Sequence, residues 1–197
     1  MQERYDCMIS DIFHPDQAAA LAALIRCYEN GGKVLLCGNG GSAADCGHIA
    51  GELLKGFLKK RPVPAELAAA VPEAAKLQCG LPAIDLTAHA AAITAVANDL
   101  GGELAYAQQV LVYGRPGDVL IGISTSGNAR NVDIALRTAK ALGMVTIGLS
   151  GRSGGKMRGT CDILLNVDAD ETYLIQEKHL PLYHALCAGV EEHFFKE

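Results

Sequence analysis

Short runs of consecutive apolar residues alternate along this chain with longer segments whose apolar residues recur at helical spacing. These runs fall within residues 33–37, 81–86, 118–123, 145–149 and 162–167. Strands that are apolar at nearly every position are typical of a parallel sheet whose two faces are both covered by helices. The pattern therefore predicts an α/β fold: a three-layer α/β/α sandwich around a five-stranded parallel sheet.

The segments between the runs have the periodicity and the end signals of helices. The first, 16–29, stops at an asparagine followed by two glycines. The last, 174–195, has apolar residues on more than one face, which predicts burial on several sides. Because no internal repeat or interdomain linker is found, we expect one domain over residues 1–197. The remaining predicted helices are 42–58, a short one within 65–77, 88–98, 103–113 and 129–142.

The formal net charge of −5 argues against a general nucleic-acid binder, which normally has a basic stripe. The only dense basic cluster, Lys59–Arg61, is interpreted as a solvated helix end. No apolar stretch is long enough to cross a bilayer, and the first residues lack a signal-peptide pattern. Seven cysteines without a C-x-x-C pair indicate core thiols of a reduced, cytoplasmic protein and argue against a cysteine-based zinc site.

Two polar loops follow two of the predicted strands, each at a point where a helix is expected to begin. The first is Cys37–Ser42 (CGNGGS), and the second is Ser124–Asn128 (STSGN). A glycine- or hydroxyl-rich loop that opens a helix offers free backbone N–H groups and the positive end of the helix dipole, which together bind anions. Two such loops predict a phosphorylated small molecule bound at the carboxyl ends of the parallel strands.

Each loop also has a simpler interpretation. Gly38, Gly40 and Ala43 match the letters of a dinucleotide-binding fingerprint. However, the acidic residue expected about 20 residues further on is missing, since that position falls in the basic stretch 57–61. The run of hydroxyl residues is also typical of helix caps and turns in any protein. The occurrence of the two loops together favours phosphate binding over either alternative.

Just after the first loop, His48 and Glu52 stand four residues apart and therefore share one face of a helix. Histidine and glutamate are ordinary zinc ligands and ordinary proton carriers. Alone, His48 is more typical of a partly buried structural histidine, and Glu52 of a surface carboxylate. Their position beside a phosphate loop favours a functional pair, which serves either one metal ion or one proton transfer.

Taken together, these motifs resemble the sugar isomerase (SIS) domain family, and within it the phosphoheptose isomerases. The resemblance follows the family's order from about Gly32 to the last helix. Besides the two loops and the His48–Glu52 pair, the stretches that carry it are 97–99 (AND), 154–157 (GGKM) and 175–179 (IQEKH), with His184 beyond.

The resemblance implies a role for most of these residues. Glu52 and His184 are the expected proton carriers, and the loop hydroxyls hold the sugar phosphate. Zinc is the expected cofactor, with His48, Glu52, Gln176 and His184 as its ligands. The implied substrate-binding residues are Gly38, Asn39, Gly40, Ser42, Asn98, Asp99, Ser124, Thr125, Ser126 and Gln176.

The implied reaction is an aldose–ketose isomerisation that converts sedoheptulose 7-phosphate to D-glycero-D-manno-heptose 7-phosphate through an enediol. A carboxylate and an imidazole on opposite sides of C1 and C2 suit the proton transfer, and zinc suits polarisation of the carbonyl. The family also has a non-catalytic branch, whose members bind a sugar phosphate or the bacterial replication initiator. That branch lacks the catalytic glutamate, so Glu52 favours the enzyme.

Gln176 and His184 pose a problem of reach, because eight residues of straight helix separate their Cα atoms by about 12 Å. Either the helix begins irregularly, or the two side chains of one site come from different subunits. The homotetramer that the resemblance implies favours the second explanation, and His179 is a spare candidate. Two departures from the family leave the identity of the sugar open: Ala129 replaces a serine of the phosphate loop, and residues 62–80 contain an insertion.

Overall fold

The structure is a computed structural model that describes residues 13–195, so both ends of the predicted 1–197 domain lie outside the described residues. All five strands run parallel, in the order β2-β1-β3-β4-β5. The predicted five-stranded parallel sheet is therefore confirmed. The strands are β1 (Val34–Gly38), β2 (Ala83–Asp85), β3 (Val119–Ile123), β4 (Val145–Ser150) and β5 (Ile163–Asn166).

Helices connect the strands, close to the predicted places. One short helix, α7, lies in a glycine-rich connection for which no helix was predicted. The predicted helix 88–98 is interrupted by a π-helical turn at Ala97–Gly101, which is followed by a 3₁₀ turn at Gly102–Leu104. The helices are α1 (Gln17–Glu29), α2 (Gly41–Leu54), α3 (Ala65–Ala70), α4 (Ala90–Val96), α5 (Ala105–Tyr113), α6 (Arg130–Ala141), α7 (Met157–Thr160) and α8 (Thr172–Phe194).

The sheet is buried on both faces, as the continuously apolar strands predict. In β1, Val34 and Leu36 pack on one side with α1, α2 and α8. Leu35 and Cys37 pack on the other side with α5 and α6. Because successive side chains of a strand point to opposite faces, each strand of this kind contributes to two separate cores.

The order of the strands places the two polar loops beside each other. The chain leaves β1 for the edge strand β2 and then crosses back to β3 on the other side of β1. In the parallel pairing of β1 with β3, Gly38 lies opposite Ile123. The loops after these two strands therefore meet at the point where the strand order reverses, which is where open α/β sheets bind ligands.

Helix α2 ends at Leu54, four residues earlier than predicted, because a buried arginine takes over its last carbonyl groups. The Arg61 side chain is fully buried. Its Nη1 donates to the carbonyl of Leu53 at 2.8 Å, and its Nη2 donates to that of Glu52 at 3.1 Å. The interpretation of Arg61 as part of a solvated cluster is wrong, since its partner, Glu191, lies 130 residues away in sequence.

Glu191 of α8 is the acidic partner of Arg61, and it also binds the backbone that follows α2. One of its carboxylate oxygens accepts from Arg61 Nε at 2.9 Å and from the backbone N–H of Phe57 at 2.9 Å. The other accepts from the N–H groups of Leu58 at 2.8 Å and Lys59 at 3.1 Å. A buried ion pair is stable when such additional hydrogen bonds satisfy both partners. The pair thereby joins α8 to the end of α2 and to the chain that follows it.

The stretch 62–80, in which an insertion is predicted, leaves the end of α2 and returns to it. An isolated antiparallel bridge between Pro62 and Gln78 closes its base. The N–H of Cys79 donates to the carbonyl of Arg61 at 2.7 Å. The short predicted helix is α3 followed by a 3₁₀ turn at Pro72–Lys76, and α3 has no buried residue.

The apolar residues of α8 are largely covered within this chain. Leu182, Leu186 and Val190 are buried in the core that α1 and α2 share with the sheet. The predicted burial on several sides is therefore provided largely within one chain, and the apolar character of this helix does not by itself require a second subunit. Leu180 remains 40% exposed.

The cysteines of the described part are free thiols, in agreement with the predicted core role. Cys37 and Cys187 are fully or almost fully buried, and Cys161 is half-buried. Burial raises the pKa of the Cys161 thiol to about 12, so this thiol stays protonated and unreactive. Within residues 13–195, none of the helices combines the length and the apolar character that a membrane span needs.

Replacing Arg61 by methionine would leave the Glu191 carboxylate buried without its cation. We expect Arg61→Met to lower the free energy of unfolding by about 3–5 kcal/mol, the usual effect of breaking a buried pair. The measurement is urea unfolding, with the exposed Lys60→Met as the matched control. A loss below about 1 kcal/mol, typical of a surface pair, would contradict the anchoring role.

Candidate active site

Helices α2 and α8 lie side by side and run in the same direction. Near their starts, Gln176 of α8 lies against Gly41, where a Cβ atom would come within 3 Å of the glutamine amide. Further along both helices, His184 of α8 faces His48 of α2. Because the helices are parallel, residues that lie equally far along the two helices face each other.

Three side chains of this pair of helices converge on one point. His48 Nε2 lies 3.1 Å from Glu52 Oε1 and 3.4 Å from His184 Nε2. One ligand atom from each of the three residues lies within 4.8 Å of the others. His48 is exposed, while Glu52 and His184 are half-buried, so the group is accessible to a small molecule.

The donor set of this group fits a catalytic zinc ion. Two imidazole nitrogens and one carboxylate oxygen form a known three-ligand set that leaves a position open for water or substrate. With Zn–N bonds of about 2.0–2.1 Å and tetrahedral angles, two such nitrogens would lie about 3.3 Å apart. The observed separation of 3.4 Å between the two Nε2 atoms agrees with this value.

The surroundings favour a neutral imidazole at His184. Burial lowers the pKa of His184, and the neighbouring His48 lowers it further, while Glu52 opposes both. The Phe57 ring contributes to this apolar environment, with its centroid 5.2 Å from that of His184. A neutral imidazole has a lone pair that can accept a proton or bind a metal.

The Gln176 amide lies against Gly41 at the start of α2, and Gly41 precedes His48 by seven residues, or about 10 Å along the helix. The predicted role of Gln176 as a fourth metal ligand stays a prediction. One chain already brings His48, Glu52 and His184 together, so these three do not require the explanation favoured from the sequence, in which the side chains of one site come from different subunits.

His179, the spare candidate, is not part of the group. It is fully buried, and its Nε2 donates to the carbonyl of Ser150 at 3.2 Å. Burial lowers the pKa of His179, which keeps the ring neutral in the core. We therefore assign His179 a structural role.

The second polar loop is a tight turn in which several hydroxyl and backbone N–H donors have no acceptor among the described residues. The N–H of Ala129 donates to Ser124 Oγ at 3.3 Å, and that of Asn128 donates to Ser126 Oγ at 3.2 Å. Each serine thus keeps its own hydroxyl proton for a ligand. Among the described residues, the backbone N–H groups of Thr125 and Ser126 have no acceptor. These donors suit the predicted phosphate site.

Gly127 fixes the shape of this loop. Its φ of +65° is the left-handed conformation that favours glycine. A Cβ atom here would lie 2.1 Å from the carbonyl oxygen of Gly154. The loop therefore packs directly on the glycine-rich connection, and Asn128 Oδ1 accepts from the N–H of Lys156 at 3.1 Å. This contact explains why both glycine-rich stretches occur together.

The first polar loop is tied to the second through their helices. The side-chain amides of Asn39 and Asn131 exchange two hydrogen bonds, of 2.9 and 2.8 Å. Asn131 belongs to α6, which starts directly after the second loop. Within the described part of the chain, the backbone N–H groups of Gly40 and Gly41 have no acceptor. Ser42, one of the predicted substrate-binding residues, is buried in the first turn of α2.

The other predicted positions are exposed or lack a polar side chain. Asn98 and Asp99 lie in the exposed π-helical turn, where Asn98 Nδ2 donates to Asp99 Oδ1 at 2.8 Å. The structure does not bring them into contact with the His48–Glu52–His184 group. Ala129 is the N-cap of α6 and gives this helix no side-chain cap.

Sequence reasoning missed two residues next to the group. The Tyr183 hydroxyl lies 2.9 Å from His48 Nδ1 and 3.4 Å from Asp45 Oδ1. Burial raises the pKa of the Asp45 carboxyl, while the hydrogen bond from Tyr183 lowers it. The i, i+3 spacing of Asp45 and His48 was a signal for the first of them, whereas nothing in the sequence links Tyr183 to His48.

Two polar loops with free N–H groups lie at the switch point of a parallel sheet, with an imidazole–carboxylate group beside them. This is the arrangement expected of an α/β protein that binds and transforms a phosphorylated small molecule. Comparison with known families narrows this class. The SIS domain family model matches residues 14–151.

Full-length relatives agree with this match. The phosphoheptose isomerase of Desulfovibrio desulfuricans is 41% identical over 192 residues, which are 95% of this chain and 83% of that protein. That of Burkholderia pseudomallei is 46% identical over 88% of this chain and 79% of its own. The structure of a phosphoheptose isomerase from Francisella tularensis superposes with a TM-score of 0.79 at 35% identity, covering 96% and 92% of the two chains. The chain belongs to the SIS domain family and, within it, to the phosphoheptose isomerases.

Removing the loop hydroxyls tests the phosphate site. We expect the double substitution Ser124→Ala with Ser126→Ala to raise KM for a phosphorylated sugar about tenfold, since each lost hydrogen bond to a charged group is worth roughly 1.5–3 kcal/mol and part is regained through water. Thr138→Ala, which removes a hydroxyl from the far end of α6, is the control. An unchanged KM in the double variant would exclude this loop as the phosphate site.

Proposed function

We propose that this chain interconverts sedoheptulose 7-phosphate and D-glycero-D-manno-heptose 7-phosphate through an enediol. The observation that carries the proposal is the convergence of Glu52 with His48 and His184, within 4.8 Å, in a member of the phosphoheptose isomerase family. A positioned carboxylate next to an imidazole provides the groups that an aldose–ketose isomerisation needs.

Glu52 is the proposed carrier of the carbon-bound proton. Its Oε1 faces His48, whereas its Oε2 has no hydrogen-bond partner among the described residues. In the direction from ketose to aldose, this carboxylate takes a proton from C1 and returns it to C2. Because C1 and C2 are adjacent, one carboxylate can both remove the proton from C1 and deliver it to C2.

His184 is the proposed carrier of the oxygen-bound proton. The enediol forms when the oxygen at C2 gains a proton, and it collapses to the aldose when the oxygen at C1 loses one. A neutral imidazole, as its lowered pKa favours, can donate the proton of Nδ1–H to the first oxygen and regain one from the second, so that Nε2 stays available for a metal ion.

Zinc is the proposed cofactor, held by His48, Glu52 and His184. When bound, the ion would supply a Lewis acid that polarises the carbonyl of the substrate. Gln176, at the start of α8, is the proposed fourth ligand.

The sugar phosphate is proposed to bind between the two polar loops, with its phosphate on Ser124, Thr125 and Ser126. The free N–H groups of both loops and the serine hydroxyls support this placement. The further proposed contacts with the substrate are made by Gly38, Asn39, Gly40, Ser42, Asn98, Asp99 and Gln176.

We further propose a cytoplasmic homotetramer of single-domain subunits. The supporting observation is that α4 and the π-helical turn after it have no buried residue, although α4 is made almost entirely of apolar residues. Leu100, Leu111 and Val112 are also more than half exposed. Another subunit would cover these residues and position Asn98 and Asp99, and sedimentation of the native protein tests this state.

Substituting Glu52 separates chemistry from binding. We expect Glu52→Gln to lower kcat about 10²–10⁴-fold, because the amide keeps the size of the side chain and removes the base. Binding of the sugar phosphate, measured by calorimetry, should stay close to that of the wild type. Glu29→Gln, at a remote exposed glutamate paired with His193, is the control. Full activity of Glu52→Gln would overturn the mechanism and favour a protein that only binds sugar phosphates.

Metal removal tests the cofactor. We expect chelation to lower the rate of isomerisation and added Zn²⁺ to restore it, and His48→Ala to reduce the zinc content because one of three ligands is lost. Metal analysis of the purified protein, run beside the assay, provides the measurement. An active preparation without a metal ion would leave Glu52 and His184 as acid–base groups alone.

A further inference from the structure

A chain of hydrogen bonds lies behind His48, on the side of its ring that faces away from Glu52 and His184. The Tyr183 hydroxyl lies 2.9 Å from His48 Nδ1 and 3.4 Å from Asp45 Oδ1. Tyr183 is only 2% exposed, and its ring meets that of His48 edge-on at 5.4 Å. The hydroxyl is therefore held between the imidazole and the carboxylate.

The direction of these hydrogen bonds follows from the number of protons available. A tyrosine hydroxyl has one proton, and an ionised carboxylate can only accept. Two arrangements satisfy Tyr183: it donates to Asp45 and accepts from Nδ1–H of His48, or it donates to Nδ1 while Nε2–H of His48 donates to Glu52 Oε1 at 3.1 Å. The first is favoured, because the second leaves the half-buried Asp45 carboxylate without a donor among the described residues. With its proton on Nδ1, the imidazole presents the lone pair of Nε2 to Glu52 and His184.

The placement of Asp45 supports a role beyond packing. Its Oδ2 is buried and has no hydrogen-bond partner in the described part of the chain. Burying an incompletely paired carboxylate costs free energy that an alanine at this helical position would avoid. What the carboxylate provides in return is an acceptor that orients the hydroxyl proton of Tyr183 away from His48.

We propose that Tyr183 and Asp45 are positioning residues that hold His48 in its Nδ1–H tautomer, with Nε2 free to bind a metal ion. Metal-binding histidines commonly donate their second N–H to a carboxylate or a carbonyl group. In this chain a tyrosine hydroxyl stands between the two. The consequence for catalysis rests on the proposed function, whereas the tautomer itself does not.

Two substitutions separate the contributions of the hydroxyl and the carboxylate. Tyr183→Phe keeps the ring and removes the hydroxyl, so the two tautomers of His48 should become mixed. Asp45→Ala leaves the Tyr183 proton free to turn towards Nδ1, so His48 should change to the Nε2–H tautomer. Tyr28→Phe is the matched control, because this buried tyrosine donates to the carbonyl of Pro82, away from the site.

The first measurement is the tautomer of His48 in the metal-free protein, from the ¹⁵N chemical shifts of its ring. The second is calorimetric titration with Zn²⁺, where both variants should bind about 10–100-fold more weakly than wild type and Tyr28→Phe should not. Binding of inorganic phosphate should be the same in all four proteins.

An Nε2–H tautomer in the wild type would overturn the proposal, as would variants that keep both the wild-type tautomer and the wild-type affinity for Zn²⁺. A failure of the proposed function would look different. Wild-type protein that binds Zn²⁺ through an Nδ1–H His48 but does not isomerise the heptose phosphate would contradict the enzyme and leave the positioning role intact.

Discussion

The contact between α2 and α8 holds the site together, and the buried pair of Arg61 and Glu191 fixes that contact at one end. Glu191 lies two turns after His184 on α8, and Arg61 binds the backbone carbonyl of Glu52 itself. Both proposed proton carriers are therefore within a short distance of the same ion pair. A buried charge pair whose two partners are both tied to the surrounding backbone allows little sliding, because a shift along the helix axis would break these hydrogen bonds and leave a charged group unpaired.

The two polar loops, which form the other half of the site, are positioned by the sheet. Because β1 and β3 pair directly while β2 lies outside them, the loops that follow β1 and β3 open side by side. The amide pair of Asn39 and Asn131 then connects these loops a second time, outside the sheet. The position of the two polar loops thus depends on backbone pairing in the sheet, and that of the His48–Glu52–His184 group depends on helix packing. Helix α2 connects the two, because it begins at the first loop and carries His48 and Glu52.

The sequence was sufficient for the features that local patterns determine. Continuous apolar runs predicted five strands, and the two polar loops were found because both follow an apolar run at a point where a helix is expected to begin. The sequence was not sufficient where the position of a residue depends on a partner that is far away along the chain. The end of α2 depends on Arg61 finding Glu191, and the position of His184 depends on α8 running parallel to α2. Spacing along one helix correctly showed that Gln176 and His184 are far apart. It could not show that each would face a different residue of the same neighbouring helix.

The parallel alignment of α2 and α8 also gives the protein a molecular ruler. The first polar loop opens α2 and lies beside the second, to which the phosphate is proposed to bind. The proton-transfer group lies about 10 Å along α2, a distance set by the rise of the backbone. A heptose 7-phosphate has its phosphate and its reacting carbons at opposite ends of a seven-carbon chain and can span this distance, whereas a triose phosphate is too short. For the proposed substrate, chain length is thus selected by the helix itself, and the side chains around it need to distinguish only the configuration of the hydroxyl groups.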